Sequence, residues 1–259
     1  MARGSHTLGS VHHAPASSFT RGTLLIALGL GLAACEVGPG GGGGGGDDEG
    51  TADAAVDAPP PDYTVAVTPA AATTLGTAIT LTVDLTSSDF AGPVALTASG
   101  APASWAVTID PPTVTLADGG TAQATVRISV PTNGDAAPAG QGLTILGQGA
   151  PGARAATATV TVDNVYVLAI GTPGAGGAHF ASIAGGQLRM KRGAHLQLPN
   201  TDTIAHRIHS DAALPGFPHQ PASMGPGGMY EVTLASTGSD LFYCHDHGQG
   251  TGQVRLTVE

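Results

Sequence analysis

The chain has 259 residues, with 9 Lys and Arg against 19 Asp and Glu, a formal charge of −10, and only 11% charged and 4% aromatic residues. A phosphate-binding surface needs concentrated Lys and Arg, so this acidic chain excludes nucleic acid as a partner. The 40 glycines and 19 prolines exceed a fifth of the residues, which disfavours long helices and suits short strands joined by turns.

The first predicted element is a leader. Arg21 precedes an apolar run over residues 24–34, shorter than the about 20 residues a membrane-crossing helix needs. A basic residue, a short apolar run and small residues before a cut are the parts of a secretory signal. The ending Leu32-Ala33-Ala34-Cys35 resembles the lipobox of bacterial lipoproteins. That resemblance implies a signal peptide over residues 1–34, with Cys35 acylated as the mature N-terminus. Residues 35–62 follow as a tether: seven consecutive glycines at 40–46, then Asp47, Asp48, Glu49, Asp53, Asp57 and Asp62 with no Lys or Arg among them. Such a stretch cannot bury enough apolar surface to offset its ordering entropy and is expected to be disordered. Its root-mean-square reach is roughly 30 Å. By resemblance to lipoprotein sorting in Gram-negative bacteria, Glu36 after Cys35 implies the outer membrane. The protein is then lipid-anchored and faces the periplasm or the cell surface.

Beyond the tether the pattern turns to period two. Strands are predicted at 63–68, 79–85, 94–98, 105–109, 124–130, 143–146 and 157–162. Ile79, Leu81, Val83 and Leu85 alternate with Thr80, Thr82, Asp84 and Thr86, so one face enters a core and the other meets water. Seven short strands in about a hundred residues read as a β-sandwich. Pro93-Val94-Ala95-Leu96-Thr97-Ala98-Ser99-Gly100 and Ile109-Asp110-Pro111-Pro112-Thr113-Val114-Thr115-Leu116 resemble bacterial immunoglobulin-like domains of exported proteins. Residues 63–163 are read as such a domain. It has no His, Cys or Met, and Asp84, Asp89, Asp110, Asp118 and Asp135 fall at strand ends and turns, where Asp caps the backbone. A spacer or docking module is the expectation, with calcium at the turn acids as a lesser alternative.

The chemistry is confined to residues 164–259. His179, His195, His206, His209, His219, His245 and His247 all lie there, as do Cys244, Met190, Met224 and Met229. With Cys35 committed to lipid, Cys244 has no disulfide partner, and a lone thiol in an oxidising compartment calls for a metal or another chain to protect it. Tyr243-Cys244-His245-Asp246-His247 puts a thiol and an imidazole three residues apart across a tight loop. Soft sulfur with nitrogen selects copper or zinc over calcium or magnesium.

The segment from Tyr243 to Val258 resembles the C-terminal ligand loop of plastocyanin-like cupredoxins, the small blue-copper proteins, with Cys244 and His247 in the ligand places. Val254, Leu256 and Val258 take the inward places of the closing strand. Upstream, the segment 199–211 matches the region of the family's other histidine and puts His206 in that place; residues 187–198 resemble the strand, turn and strand before it. Gly225-Pro226-Gly227-Gly228 matches the turn between the ligands. The resemblance implies a Greek-key sandwich over 164–259 binding copper through His206, Cys244 and His247. It also departs from the family: Gly250 stands where the short-loop pattern has an axial Met. Gln249 and Gln253 are the nearby weak axial donors, with Met224 or Met229 reaching in from the preceding loop, or water filling an open position. His209 and His245 alternate away from His206 and Cys244 and read as rim residues; a secondary surface copper site made with His219 is the lesser alternative. His179 and His195 receive no role.

The expected fold class is therefore all-β, an immunoglobulin-like sandwich followed by a cupredoxin one. The expected function is one-electron transfer between periplasmic redox proteins, not catalysis. Copper storage or delivery is the principal alternative, and a metal-free structural surface protein a further one. An open axial position would leave room for copper-dependent redox activity, but the chain lacks a second ligand set of the multicopper kind.

Overall fold

The computed structural model describes residues 59–68, 72–171, 179–180, 183, 186–212, 214–249 and 252–259. The leader, Cys35, nearly all of the tether, and Gly250 lie outside the described residues. Among those described, no α-helix occurs, and no helix is long and apolar enough to cross a membrane. The chain is all-β.

Residues 62–163 supply nine strands: β1 (Asp62–Thr68), β2 (Thr73–Thr74), β3 (Ala78–Ser88), β4 (Gly92–Ser99), β5 (Ala106–Asp110), β6 (Thr113–Leu116), β7 (Thr121–Ser129), β8 (Ala137–Gly149) and β9 (Gly152–Asp163). They make two sheets, β1-β3-β7-β5 and β2-β9-β8-β4-β6. Every predicted strand overlaps an observed one, with Trp105 and Val130 one residue outside β5 and β7. Two strands escape the period-two pattern. β2 has two residues and β6 has four, too few alternations to register. Leu81, Val83, Leu85, Val126, Ile128, Leu143, Ile145, Val160 and Val162 are buried between the layers. Tyr63 is fully buried as well. Its hydroxyl sits between the carbonyls of Gly147 (2.8 Å) and Gly152 (2.6 Å) and accepts from the Gly149 N–H (2.9 Å), fixing β1 to the β8–β9 hairpin.

Residues 165–258 supply seven more strands: β10 (Val165–Val167), β11 (Gln187–Met190), β12 (His195–Pro199), β13 (Ile208–Ser210), β14 (Met229–Thr233), β15 (Gly238–Cys244) and β16 (Gln253–Val258). They also form two sheets, β10-β12-β14 and β11-β16-β15-β13. β10 runs parallel to β12, and β11 parallel to β16, while the remaining pairs are antiparallel. Inward side chains alternate with outward ones along β16, so Val254, Leu256 and Val258 are buried. They pack with Leu188, Met190, Leu196, Leu198, Ile208 and Phe242.

The two pairs of sheets meet through polar contacts. The Leu75 N–H donates to Val165 O at 2.9 Å, and the Thr132 hydroxyl to Arg189 O at 2.7 Å. Asn133 Nδ2 donates to Glu259 Oε1 at 2.6 Å, and Lys191 pairs with Asp135. Gly76, at φ +75°, lies under the Tyr166 ring, where a Cβ would come within 2.5 Å of a ring carbon. Any larger residue there would push the Tyr166 ring off the junction.

Candidate metal centre

Three segments converge at one end of the second pair of sheets. β15 delivers Cys244 as its last residue. The 3-10 turn His245–His247 follows at once and closes at Gly248, whose φ of 77° favours glycine. Asp246 ties that turn down: its Oδ2 accepts from Ser223 Oγ at 2.7 Å, and its Oδ1 lies 3.6 Å from Arg207 Nε. The His245 N–H donates to Arg207 O at 2.7 Å, which extends the β13–β15 ladder into the turn.

The His206 segment is held by Asn200, a residue to which the sequence reading gave no part. Asn200 is 1% exposed. Its amide donates to Ile204 O (2.9 Å) and Met224 O (3.0 Å), and its Oδ1 accepts from the Asp202 N–H (3.0 Å). An Asn that satisfies three backbone groups converts a short loop into a fixed one. His206 then exchanges both backbone hydrogen bonds with Met224, at 2.9 and 2.7 Å.

The result brings His206, Cys244 and His247 together. Cys244 Sγ lies 3.2 Å from His206 Nδ1 and 3.1 Å from His247 Nδ1. Cys244 and His206 are both fully buried, and His247 is half-buried. On its other side, His206 Nε2 is 3.0 Å from Asp202 Oδ2. A carboxylate at that distance accepts a hydrogen bond from Nε2–H and leaves the Nδ1 lone pair facing the thiol, the arrangement by which a carboxylate orients a metal-binding imidazole. Burial pushes the His206 pKa below the ordinary imidazole value. The Asp202 hydrogen bond opposes that shift, and the nearby His179 and His247 add to it. The downward direction favours the neutral ring, the form a ligand must take.

The donor set fits an ion of copper or zinc size. Bonds of about 2.3 Å to sulfur and about 2.0 Å to nitrogen put S and N about 3.5–3.7 Å apart in trigonal or tetrahedral geometry. The observed separations of 3.1 and 3.2 Å fall short by a few tenths of an ångström, which small side-chain rotations supply.

His179, assigned no role from sequence, belongs to this cluster. It is 3% exposed. One ring nitrogen each from His179, His206 and His247 lie within 4.8 Å of one another. The His179 ring centre is 4.6 Å from that of His206 and 4.8 Å from that of His247, and the latter two are 4.9 Å apart. Gly171 O lies 3.1 Å from His179 Nδ1; a proton on Nδ1 leaves Nε2 as the donor atom. No signal in the sequence could have found it, because the surrounding stretch is glycine-rich and without period.

Of the four side chains the sequence offers as axial donors, one stands beside the cluster. Met224 is buried and directly opposite His206 in a hydrogen-bonded pair, so both side chains share a face. Met229 is 59% exposed on β14. Gln249 is exposed and donates to Asp211 Oδ1 at 2.8 Å, and Gln253 is exposed on β16 opposite Tyr243. His195 faces Glu231 at 3.1 Å, away from the centre on β12. His209, His219 and His245 form their own group: the His209 ring centre is 4.3 Å from His219 and 4.8 Å from His245. Burial first, then the neighbouring His219, His245 and Arg207, push the His209 pKa down, with Asp211 opposing.

No protein-family profile matches the chain, and no curated protein matches it. Similar solved structures include a purple cupredoxin from Nitrosopumilus maritimus, with 22% identity, 38% of this chain and 100% of that one covered, and a TM-score of 0.29. Amicyanin from Paracoccus versutus has 17% identity, with 37% of this chain and 81% of that one covered, and a TM-score of 0.27. A C. elegans protein of the MSP family, WR4, has 13% identity, with 39% and 98% covered, and a TM-score of 0.28. Cupredoxins are thus among the folds that this chain is similar to, and the assignment of the site rests on its side chains.

Proposed function

We propose that this is a copper protein of cupredoxin type that carries single electrons, with His206, Cys244 and His247 as ligands and His179 as a fourth nitrogen donor. The observation that carries the reading is one buried thiol with an imidazole Nδ1 on either side, at 3.2 and 3.1 Å. When bound, copper supplies a one-electron couple between Cu(I) and Cu(II), which a site of one thiolate and several imidazoles accommodates in both states. The chain's own residues do the rest. Asp202 orients His206, Asp246 anchors the turn carrying His247, and the buried apolar side chains around Cys244 keep water from the sulfur. His247, half-buried, is the ligand nearest solvent and the natural exit for an electron toward a periplasmic redox partner. We read the protein as a carrier and not an enzyme, because His179 brings a third imidazole to the buried cluster and would leave less room on the ion for a substrate.

Metal analysis of the purified protein, with visible and spin-resonance spectra, tests this reading. About one copper per buried centre and an intense thiolate-to-copper band are expected, and His206→Ala should weaken or erase the band. Copper bound without any thiolate band would exclude the proposed ligand set. A redox titration separates the carrier from a copper store: a reversible couple supports the first, and binding of Cu(I) alone the second.

Lipid anchoring through Cys35 is the second half of the proposal, resting on the Leu-Ala-Ala-Cys ending of the apolar run. Cys35→Ser is expected to abolish lipid labelling and release the protein in soluble form; a variant still retained by membranes would mean that another element anchors it.

A further inference from the structure

We propose that His209, His219 and His245 form a second metal site at the surface, for a divalent late first-row ion, linked to the buried centre by the Cys244–His245 peptide bond. The three residues come from separate segments, and hydrogen bonds fix each one. His209 is the middle residue of β13, opposite Tyr243 on β15. His245 follows Tyr243 by two residues, and its N–H continues the ladder to Arg207 O at 2.7 Å, so it stays on the His209 face. His219 comes from the loop along the β13 edge. Its neighbour Gln220 clamps that loop to Ile208 twice, through Gln220 N–H to Ile208 O at 2.8 Å and Ile208 N–H to Gln220 Oε1 at 2.9 Å. The His219 N–H also donates to Tyr230 Oη at 3.0 Å. His209 therefore has one imidazole on each side.

The buried centre supplies a scale for these distances. Its three ring pairs have centres 4.6, 4.8 and 4.9 Å apart, and the two pairs at the surface are 4.3 and 4.8 Å apart. Imidazoles bound to one ion at about 2.0–2.1 Å put their ring centres about 5 Å apart. His219 and His245 are exposed and His209 half-buried, so the two outer rings would turn toward each other to bring three nitrogens onto one ion, and water completes the coordination. Three imidazole nitrogen donors without a carboxylate among them suit Cu(II) and Zn(II), and not Ca(II) or Mg(II). By the same order of affinities, Cu(II) is held most tightly. The site differs from the buried one in having no sulfur and in being open to solvent, so its ion should exchange readily.

The test is titration of the metal-free full-length protein with Cu(II), followed by equilibrium dialysis and spin resonance. The wild type is expected to bind one equivalent more than the His209→Ala/His219→Ala double variant. The wild-type spectrum should contain a second signal with the wide hyperfine splitting of nitrogen-bound Cu(II), and the double variant should lose it. Circular dichroism and any thiolate band should be the same in both proteins. In a Cys244→Ser background, the His209→Ala/His219→Ala change should still remove one equivalent of Cu(II), so a failure of the buried-centre reading leaves this result standing. Equal copper binding and the same spectrum in wild type and double variant would overturn the proposal.

Discussion

Cys244→Ser is expected to abolish the intense visible absorption of the copper-loaded protein and to lower its copper affinity by more than about 100-fold, beyond the loss that follows removal of even an outer partner of a ligand. The thiolate is the soft, charged donor of the proposed ligand set, and charge transfer from its sulfur is what gives a site of this composition its colour. Serine is slightly smaller and offers a hydroxyl that stays protonated at pH 7. The imidazoles of His206, His247 and His179 would remain in place, because Asn200, Asp202 and Asp246 hold them independently of the sulfur. The variant should thus bind Cu(II) weakly and without the band. A visible spectrum and competition against a chelator of known affinity measure both effects. Persistence of the band in Cys244→Ser would show that the sulfur is not a ligand. His209→Ala, on the outward face of β13, should leave the band as it is.

Phe242→Ala carries the largest expected cost in stability, about 3–5 kcal/mol in the metal-free protein. The ring is fully buried in β15, with its centre 5.2 Å from that of Phe180 in an edge-to-face arrangement. Removing it forfeits the burial of an aromatic side chain and leaves a cavity that the surrounding strands cannot close without shifting. Phe242 and Cys244 are two residues apart on one strand and point to the same face, so the cavity opens directly beneath the sulfur. Phe242→Leu fills most of the space and is expected to cost about 1–2 kcal/mol. Denaturant midpoints of the two variants and the wild type give both values. A loss under about 1 kcal/mol for the alanine variant would mean that this part of the core is not packed as described.

Both results bear on how far the sequence could be read. The alternation of Val254, Leu256 and Val258 marks a closing strand because period two survives in any strand with one buried face. Cys244 and His247 are legible for a similar reason: a local loop sets their spacing, and the chain itself carries it. His206 needed the match over residues 199–211 in addition, since 38 residues separate it from Cys244. His179 was beyond reach. It enters the cluster only because the fold brings its ring to the His206 loop, and nothing in its immediate neighbours encodes that approach. The same holds for Asn200, whose three hydrogen bonds go to residues up to 24 positions away. Between Met224 and the other axial candidates, sequence offers no means of choice; the antiparallel bridge puts Met224 on the same face as His206. β2 and β6 were lost for want of length alone.

The donors of the buried centre are placed by hydrogen bonds that do not pass through an ion: Asn200 to Met224 O, His206 to Asp202, Ser223 to Asp246. Folding and metal uptake are therefore separable equilibria, unlike those of small domains whose chain is unfolded until an ion binds. Chelation should remove only the ligand's share of stability, RT ln(1 + [L]/Kd), and leave a folded protein whose thermal midpoint depends on free copper concentration. That separation means the protein can lose its ion and take up another without passing through an unfolded chain.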